Sequence, residues 1–332
     1  MPITIKEIAE KANLSIATVS RALNNLDNVK PATRDLVLSI ADELNYKPNI
    51  IARNLVKNTS NIIGVVLPQI DGEFFSEIIH GVDEIAYSGG YHTIVASSHT
   101  QRTVVQSIVN FMNETFVRGM IILAPMVNEK IREIVSMSSI PTVIINGKIE
   151  LQNIDSVCID NYQGAYSMTE YLIKTKGYKK IAHIKGPLMN TDSLLRFKGY
   201  LAALKDNDIP INENWTINGE FTAESGDYGC RRLLSLSEKP EVIFAGNDMM
   251  ALGCYKAIRS FGLKIPADIG VAGFDNIFLS EFLNPRLTTV HVPISEIGKT
   301  AAGMLLKRMK DNNNLEYEHL NISTGLVIGG SC

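Results

Sequence analysis

Four cysteines in 332 residues, Cys158, Cys230, Cys254 and Cys332, are too few and too scattered for a disulfide framework or a zinc site. That usage fits a reduced compartment. No apolar run approaches the ~18 residues that a membrane-spanning helix needs, and the opening MPITIKEIAEKANLS has no apolar secretion core. A cytoplasmic protein with no membrane partner is expected. No GxGxxG follows the first strand-like run, and neither GxxxxGK[ST] nor GxSxG occurs. The six histidines, His80, His92, His99, His183, His291 and His319, lack metal-ligand spacing. Dinucleotide, P-loop and serine-hydrolase enzymes are therefore disfavoured, and neither a metal nor a cofactor is expected. A large charge excess is missing as well. The net charge is −3, which does not make a general polyanion binder.

The charge that is present is unevenly spread. Residues 1–60 carry eight positive and six negative side chains, so this head is +2 and the remainder is −5. A basic head on an acidic body points to nucleic-acid contact at the N-terminus. The length implies two or three domains. Hydrophobic residues at 45% and charged residues at 20% are those of an ordinary globular chain.

Residues 1–47 predict three short helices. Ile5, Ile8, Ala9 and Ala12 recur at helical spacing in the first. Ser15 N-caps the second, and Pro31 opens a third that turns Leu36, Ile40 and Leu44 inward. Residues 48–60 form a linker with one or two helical turns around the apolar segment 50–56. From Ile62 the chain alternates strand-like runs (IIGVVLP, HTIVAS, GMIILAP, PTVIIN, SVCID, KIAHIKG, EVIFAGND, IGVAGFDN) with amphipathic stretches such as 75–87, 163–174, 195–205 and 249–261. Alternation of this kind predicts parallel α/β sheets covered on both faces. The series restarts near Lys180, so two similar lobes are expected. One spans about 61–160 with 291–322 crossing to it, the other about 161–290 with 323–332. Ligands of such sheets sit at the carboxyl ends of the strands, here between the lobes.

The stretch NLSIATVSRALNN poses the functional question. On a helix, Ile16, Ala17, Ser20 and Arg21 share one face, while Val19, Ala22 and Leu23 share another that packs. The first face suits a DNA major groove, where small side chains allow close approach and arginine bonds guanine O6 and N7. TIKEIAEKAN supplies the preceding helix of a helix-turn-helix. A plain surface helical hairpin fits the face pattern equally well.

Polar residues at strand ends mark the crevice: Asn146, Asp160, Asn247, Asp248 and Asp275. Arg196 opens a helix after GPLMNTD and can bridge ligand and carboxylates. Phe75 and Phe221 offer flat faces on which a ring can stack. For Asp160 and Asp248 the competing role is helix N-capping, and for Phe74 it is core packing.

TIKEIAEKANLSIATVSRALNN, VKPATRDLVLSIADELNYKPN and ARNLVKNTSNIIGVV strongly resemble the LacI/GalR family of bacterial transcription regulators, and the resemblance extends essentially from Ile3 to Ser331. Later markers are SVCIDNYQGAY, GYKKIAHIKGP, RFKGYLAAL, GNDMMALG, IGVAGFDN and PRLTTV. The recognition helix is most similar to that of catabolite control protein A-like members, apart from Ile16. The resemblance implies an N-terminal all-α helix-turn-helix domain, a hinge helix and an α/β two-lobed periplasmic-binding-protein-like core with two doubly wound parallel sheets. It implies a non-enzymatic regulator, a repressor of transcription, that binds a double-stranded DNA operator as a homodimer. The operator would be a pseudo-palindrome with a central CG step, of the AANCGNTT type.

By the same resemblance, Ile16, Ala17 and Arg21 reach base edges. Thr4, Ser15, Thr18, Ser20, Asn24, Thr33, Tyr46 and Asn49 contact or adjoin phosphates, although capping is the alternative for Thr18 and Thr33. Leu55 wedges into the central minor-groove step, with Ala52, Arg53 and Val56 beside it; a plain apolar linker residue is the alternative. Ligand roles are implied for Phe75, Asn146, Arg196, Phe221, Asn247 and Asp275, with Asp71, Phe74, Asp160 and Asp192 as further candidates. The expected effector is a small molecule of carbohydrate type: a sugar, sugar acid or sugar phosphate. Whether it releases or recruits DNA stays open. Catabolite-control members dock a phosphorylated carrier protein partly through an arginine where this chain has Gly303, which favours a local regulator. The chain stops after STGLVIGGSC without a leucine heptad tail, so a dimer rather than a tetramer is expected. The rival reading is a sugar-binding or sugar-modifying α/β protein that binds no operator.

Overall fold

The computed structural model describes residues 3–26, 28–46, 60–68, 72–97, 105–106, 108–109, 117–124, 129–145, 154–311 and 316–332. The chain divides into two compact units, Met1–Ser60 and Asn61–Cys332.

The first unit contains helices α1 (Ile5–Ala12), α2 (Ile16–Leu23) and α3 (Pro31–Glu43). Short side chains fill its centre: Ile8, Ala9, Val19, Ala22, Val29, Val37, Ile40 and Ala41. Each helix start is fixed locally. The Glu7 carboxylate accepts hydrogen bonds from the Thr4 backbone N–H at 2.6 Å and from its hydroxyl at 2.8 Å. The Ser15 hydroxyl accepts from the Thr18 N–H at 3.1 Å. Pro31 occupies the first turn of α3. Asn13, Asn25 and Asn45 take left-handed conformations at the turns, which asparagine tolerates better than most residues. One expectation is corrected. Leu36 is 47% exposed and Val37 is fully buried in its place. The buried stripe runs Val37, Ile40 and Ala41, with Leu44 packed against it, which is the i, i+3, i+4, i+7 phase.

The second unit carries two sheets. The first has the order β11-β5-β4-β3-β1-β2, from β1 (Ile62–Leu67), β2 (His92–Ser97), β3 (Gly119–Leu123), β4 (Thr142–Ile145), β5 (Asp155–Ile159) and β11 (His319–Ile322). The second has the order β12-β10-β9-β8-β6-β7, from β6 (Ile181–Lys185), β7 (Thr216–Asn218), β8 (Val242–Ala245), β9 (Gly270–Asp275), β10 (Thr288–His291) and β12 (Gly325–Val327). Read from the β2 and β7 edges, the two orders are the same. Each first strand lies beside its second and third, so each sheet has a topological switch point at its first strand. All pairings are parallel except β10–β12. The expectation of wholly parallel sheets is corrected at that edge.

The helices are α4 (Glu73–Ser88), α5 (Glu129–Met137), α6 (Asn161–Glu170, continued by a π-helical turn to Thr175), α7 (Thr191–Asp206), α8 (Ala223–Leu234), α9 (Asp248–Ser260) and α10 (Ile294–Lys310). The chain crosses between lobes three times, after β5, after β10 and after β11. Helices α4 and α10 pack on each other through reciprocal glycines. A Cβ at Gly81 would lie 2.1 Å from the Ser295 carbonyl oxygen, and one at Gly298 would lie 2.3 Å from that of Ile78. Arg308 of α10 forms a buried two-pronged pair with Asp155 of β5, at 2.9 and 2.8 Å. Among the described residues, no helix is long and apolar enough to cross a membrane.

Candidate functional site

In the N-terminal unit, α2 presents Ile16 (49% exposed), Ala17 and Arg21 outward, with Ser20 half-buried beside them and Val19 and Ala22 buried behind. The Arg21 guanidinium has no hydrogen-bond or ion-pair partner among the described residues. The remaining candidates in this unit are engaged locally. Thr4 donates to Glu7, and the Thr18 hydroxyl lies 2.9 Å from that of Ser15. The Asn24 amide donates to the Ser20 carbonyl at 2.7 Å. Thr33 is half-buried in the first turn of α3, and Tyr46 packs against the three-helix core. Asn49, Ala52, Arg53, Leu55 and Val56, and in the second unit Asp71 and Asn146, lie outside the described residues.

In the second unit a cavity of about 470 Å³ opens at the carboxyl ends of the strands. Pro68 after β1, Leu123 of β3, and Phe74 and Phe75 of α4 form one side. Pro187, Asn190, Asp192, Arg196, Phe221, Asn247, Met249, Asp275 and Ile277 form the other. Of the nine described candidates, seven line it: Phe74, Phe75, Asp192, Arg196, Phe221, Asn247 and Asp275. Asp160 is the correction. Its carboxylate N-caps α6 by accepting from the Gln163 N–H at 3.1 Å, and it does not reach the cavity. Asp248 is also displaced from the crevice. It is buried behind the wall, accepting from the Thr289 hydroxyl at 2.6 Å and the Ile277 N–H at 2.9 Å. Burial raises its pKa well above the usual carboxylate range, and neighbouring Asp275 adds to the effect.

Arg196 organises the floor. Its Nε donates to Asn161 at 2.7 Å, and Nη1 donates to the Gly246 carbonyl at 2.6 Å. Nη2 lies 3.0 Å from Asp275 Oδ1, an ion pair without hydrogen-bond alignment. The guanidinium stacks 3.8 Å from the Phe274 ring centroid, with the Phe221 ring at 5.5 Å. The Asn161 amide also donates to Asp192 at 2.8 Å, so one asparagine ties the arginine to the aspartate. Burial pushes Asp192 and Asp275 up to about 6 each, opposed by Arg196 in both cases.

The aromatic wall is held by its neighbours. The Phe221 backbone is left-handed at φ 60, a costly conformation for a bulky residue. The Asn247 amide donates to the Phe221 carbonyl at 3.1 Å while its oxygen caps α9. A Cβ at Gly186 would lie 2.2 Å from the Phe221 ring, so only glycine admits that ring. Asp275 and Asn276 also carry positive φ, at 108 and 57. Three off-region residues at one cleft mark a strained, over-determined site.

The sequence signal missed Glu73, Asn161, Asn190, Glu220, Thr222 and Glu224. They sit on helix starts and loops rather than strand ends, where no apolar run points at them. Asn190 N-caps α7 by accepting from the Ser193 N–H at 2.9 Å. Glu73 joins the two lobes, because its carboxylate accepts from the backbone N–H of Phe278 and, at 3.3 Å, of Leu279. Among the described residues, no histidine, cysteine and carboxylate group is arranged to hold a metal.

Comparison with known proteins adds independent information. Residues 4–49 match "Bacterial regulatory proteins, lacI family" and residues 169–332 match "Periplasmic binding protein-like domain". The HTH-type transcriptional repressor PurR of Vibrio atlanticus is 35% identical over 312 residues, 94% of this chain and 93% of the relative. Catabolite control protein A of Priestia megaterium is 35% identical over 310 residues, 93% of each. Among solved structures, the lac repressor dimer bound to operator and the anti-inducer ONPF superposes with a TM-score of 0.85 at 27% identity, covering 100% of this chain and 99% of that one. A complex of the transcriptional regulator CelR with cellobiose gives 0.76 at 26%, covering 99% and 100%.

Proposed function

This chain belongs to the lacI family of bacterial regulatory proteins and is a DNA-binding transcriptional repressor, and from that premise we propose how it acts. It binds a palindromic operator with a central CG step as a homodimer, and a small carbohydrate-like molecule held between the lobes controls that binding. The boundaries we assign are residues 1–47 for the DNA-binding domain, 48–60 for the hinge and 61–332 for the effector-binding and dimerisation core. Ile16, Ala17 and Arg21 read base edges, while Thr4, Ser15, Thr18, Ser20, Asn24, Thr33, Tyr46 and Asn49 position the protein on the backbone. Leu55, flanked by Ala52, Arg53 and Val56, wedges the central step. A hinge of about eight residues is marginal as an isolated helix, so DNA and the partner chain complete its folding.

The observation that carries the effector role is the aromatic cleft with a buried Arg196–Asp275 pair on its floor. Ring faces from Phe74, Phe75 and Phe221 cover the CH surface of a sugar, and the floor exchanges hydrogen bonds with its hydroxyls. Asp71 and Asn146 are assigned to the same site. The cleft binds and does not catalyse. The cellobiose complex of CelR and the anti-inducer complex of the lac repressor support a ligand of this kind. Ligand acts through its different affinity for the open and closed lobes, which biases the hinge.

Selection of random duplexes on the full-length chain tests this reading. Enrichment of a two-fold symmetric sequence centred on CG is expected. Removal of residues 1–60 should abolish retention of DNA while leaving ligand-induced thermal stabilisation intact. Failure to enrich any sequence would overturn the operator assignment.

A further inference from the structure

We propose that the cleft selects against negative charge, so that its effector is an uncharged or amino-bearing ring whose donors meet Asp192 and Asp275. This rests on the cleft being the effector site. Five carboxylates belong to its described lining: Glu73, Asp192, Glu220, Glu224 and Asp275. The one described cation there is Arg196, and Asp275 already lies 3.0 Å from it. A phosphate or carboxylate entering this cavity meets like charge, least screened at the buried Asp192 and Asp275.

The hydrogen-bond inventory points the same way. Asp192 Oδ1 accepts from Asn161, while Oδ2 accepts from no described residue. Asp275 Oδ1 is buried without an aligned hydrogen bond. A buried acceptor left unmet, as Asp275 Oδ1 is, is costly, and a ligand O–H or N–H placed against it removes that cost. Arg196 has five N–H donors, of which Asn161 and Gly246 accept two, while Asp275 is held by charge at Nη2. The remaining N–H groups are left for an acceptor on a ligand. A hydroxyl serves both needs at once, and an amino group adds charge attraction toward the rim. An anion brings acceptors alone, which leave the Asp275 and Asp192 oxygens unmet.

Thermal unfolding of the full-length protein at pH 7.5 tests this with matched sets. They are glucose, glucosamine, gluconate and glucose 6-phosphate, the galactose counterparts, and adenosine with its monophosphate. At least one uncharged or amino-bearing member should raise Tm, and its anionic counterpart should bind at least tenfold more weakly. Glu220→Gln combined with Glu224→Gln, both on the exposed rim, should narrow that gap by threefold or more. An anion that binds as tightly as its uncharged parent, no shift from any uncharged or amino-bearing member, or an unchanged gap in the double variant overturns the inference. Phe221→Ala separates the two levels. Anion binding lost in that variant overturns the charge rule alone, whereas binding that survives it overturns the cleft as effector site and this inference with it.

Discussion

The Arg21 guanidinium stands exposed in the last turn of α2, and no described residue competes for it. A good bidentate base contact is worth about 1–3 kcal/mol of discrimination. Arg21→Ala should therefore weaken operator binding by roughly 10- to 100-fold and random-duplex binding far less, as anisotropy titrations would register. At the floor of the cleft, burial raises Asp192 from the ordinary 3.8 to about 6. Between about pH 4 and 6 the folded chain then holds a proton that the unfolded chain has released. The stability from that proton is complete below about pH 4 and is lost as the pH rises through 6. Asp192→Asn keeps the shape and removes the titration. Relative to wild type, the variant should gain on the order of 2 kcal/mol between pH 4.5 and 7.5 in denaturant unfolding. Parallel pH curves for the two proteins would contradict this assignment. Residues of this kind were legible in the sequence where they end strands or stand beside a loop signal, as Arg196, Asn247 and Asp275 do. Asn161 was not, because only the fold brings it between Arg196 and Asp192, 35 and 31 positions away.

At the scale of elements, Glu73 is a described side chain whose hydrogen bonds span the two lobes, running from the first turn of α4 to the segment after β9. Glu73→Ala removes charge-assisted bonds at a partly exposed position and should cost closure about 1 kcal/mol. Small-angle scattering should show a larger radius of gyration for the variant, and identical curves would show that the contact does not hold the lobes together. Gly298→Ala acts on a different element. Its Cβ would meet the Ile78 carbonyl oxygen at 2.3 Å, so α10 must shift away from α4. Such overpacking costs about 1–3 kcal/mol, measurable as a lowered midpoint in urea. Helix α2 and the long parallel strands follow directly from apolar periodicity. Strands β7, β10, β11 and β12 escaped it, because three or four residues are too few to show a period, and β7, β11 and β12 lie at sheet edges. In α3 Ile40 and Leu44 turn inward as expected, but a strict four-residue step back from Ile40 chose Leu36, where the helical i, i+3 step buries Val37. At Asp160 the strand-end rule pointed to a ligand contact, and the helix that follows claimed the carboxylate as its cap.

At the scale of the molecule, two sheets of the same strand order face each other, and their switch points place the functional groups at one cleft. That duplication was legible in the sequence as a restart of the strand series near Lys180. The antiparallel return of β12 was not, since a three-residue pairing leaves no pattern. The proposed function puts two surfaces on one chain, a DNA-reading helix and a ligand-holding cleft. The most direct test of its central claim is the ratio of operator to scrambled-duplex affinity for the full-length protein and for Arg21→Ala, at one fixed salt concentration. A ratio of about a thousand or more in wild type that falls by at least tenfold in the variant is the result this account predicts. A ratio near one, or a ratio that Arg21→Ala leaves unchanged, would contradict it.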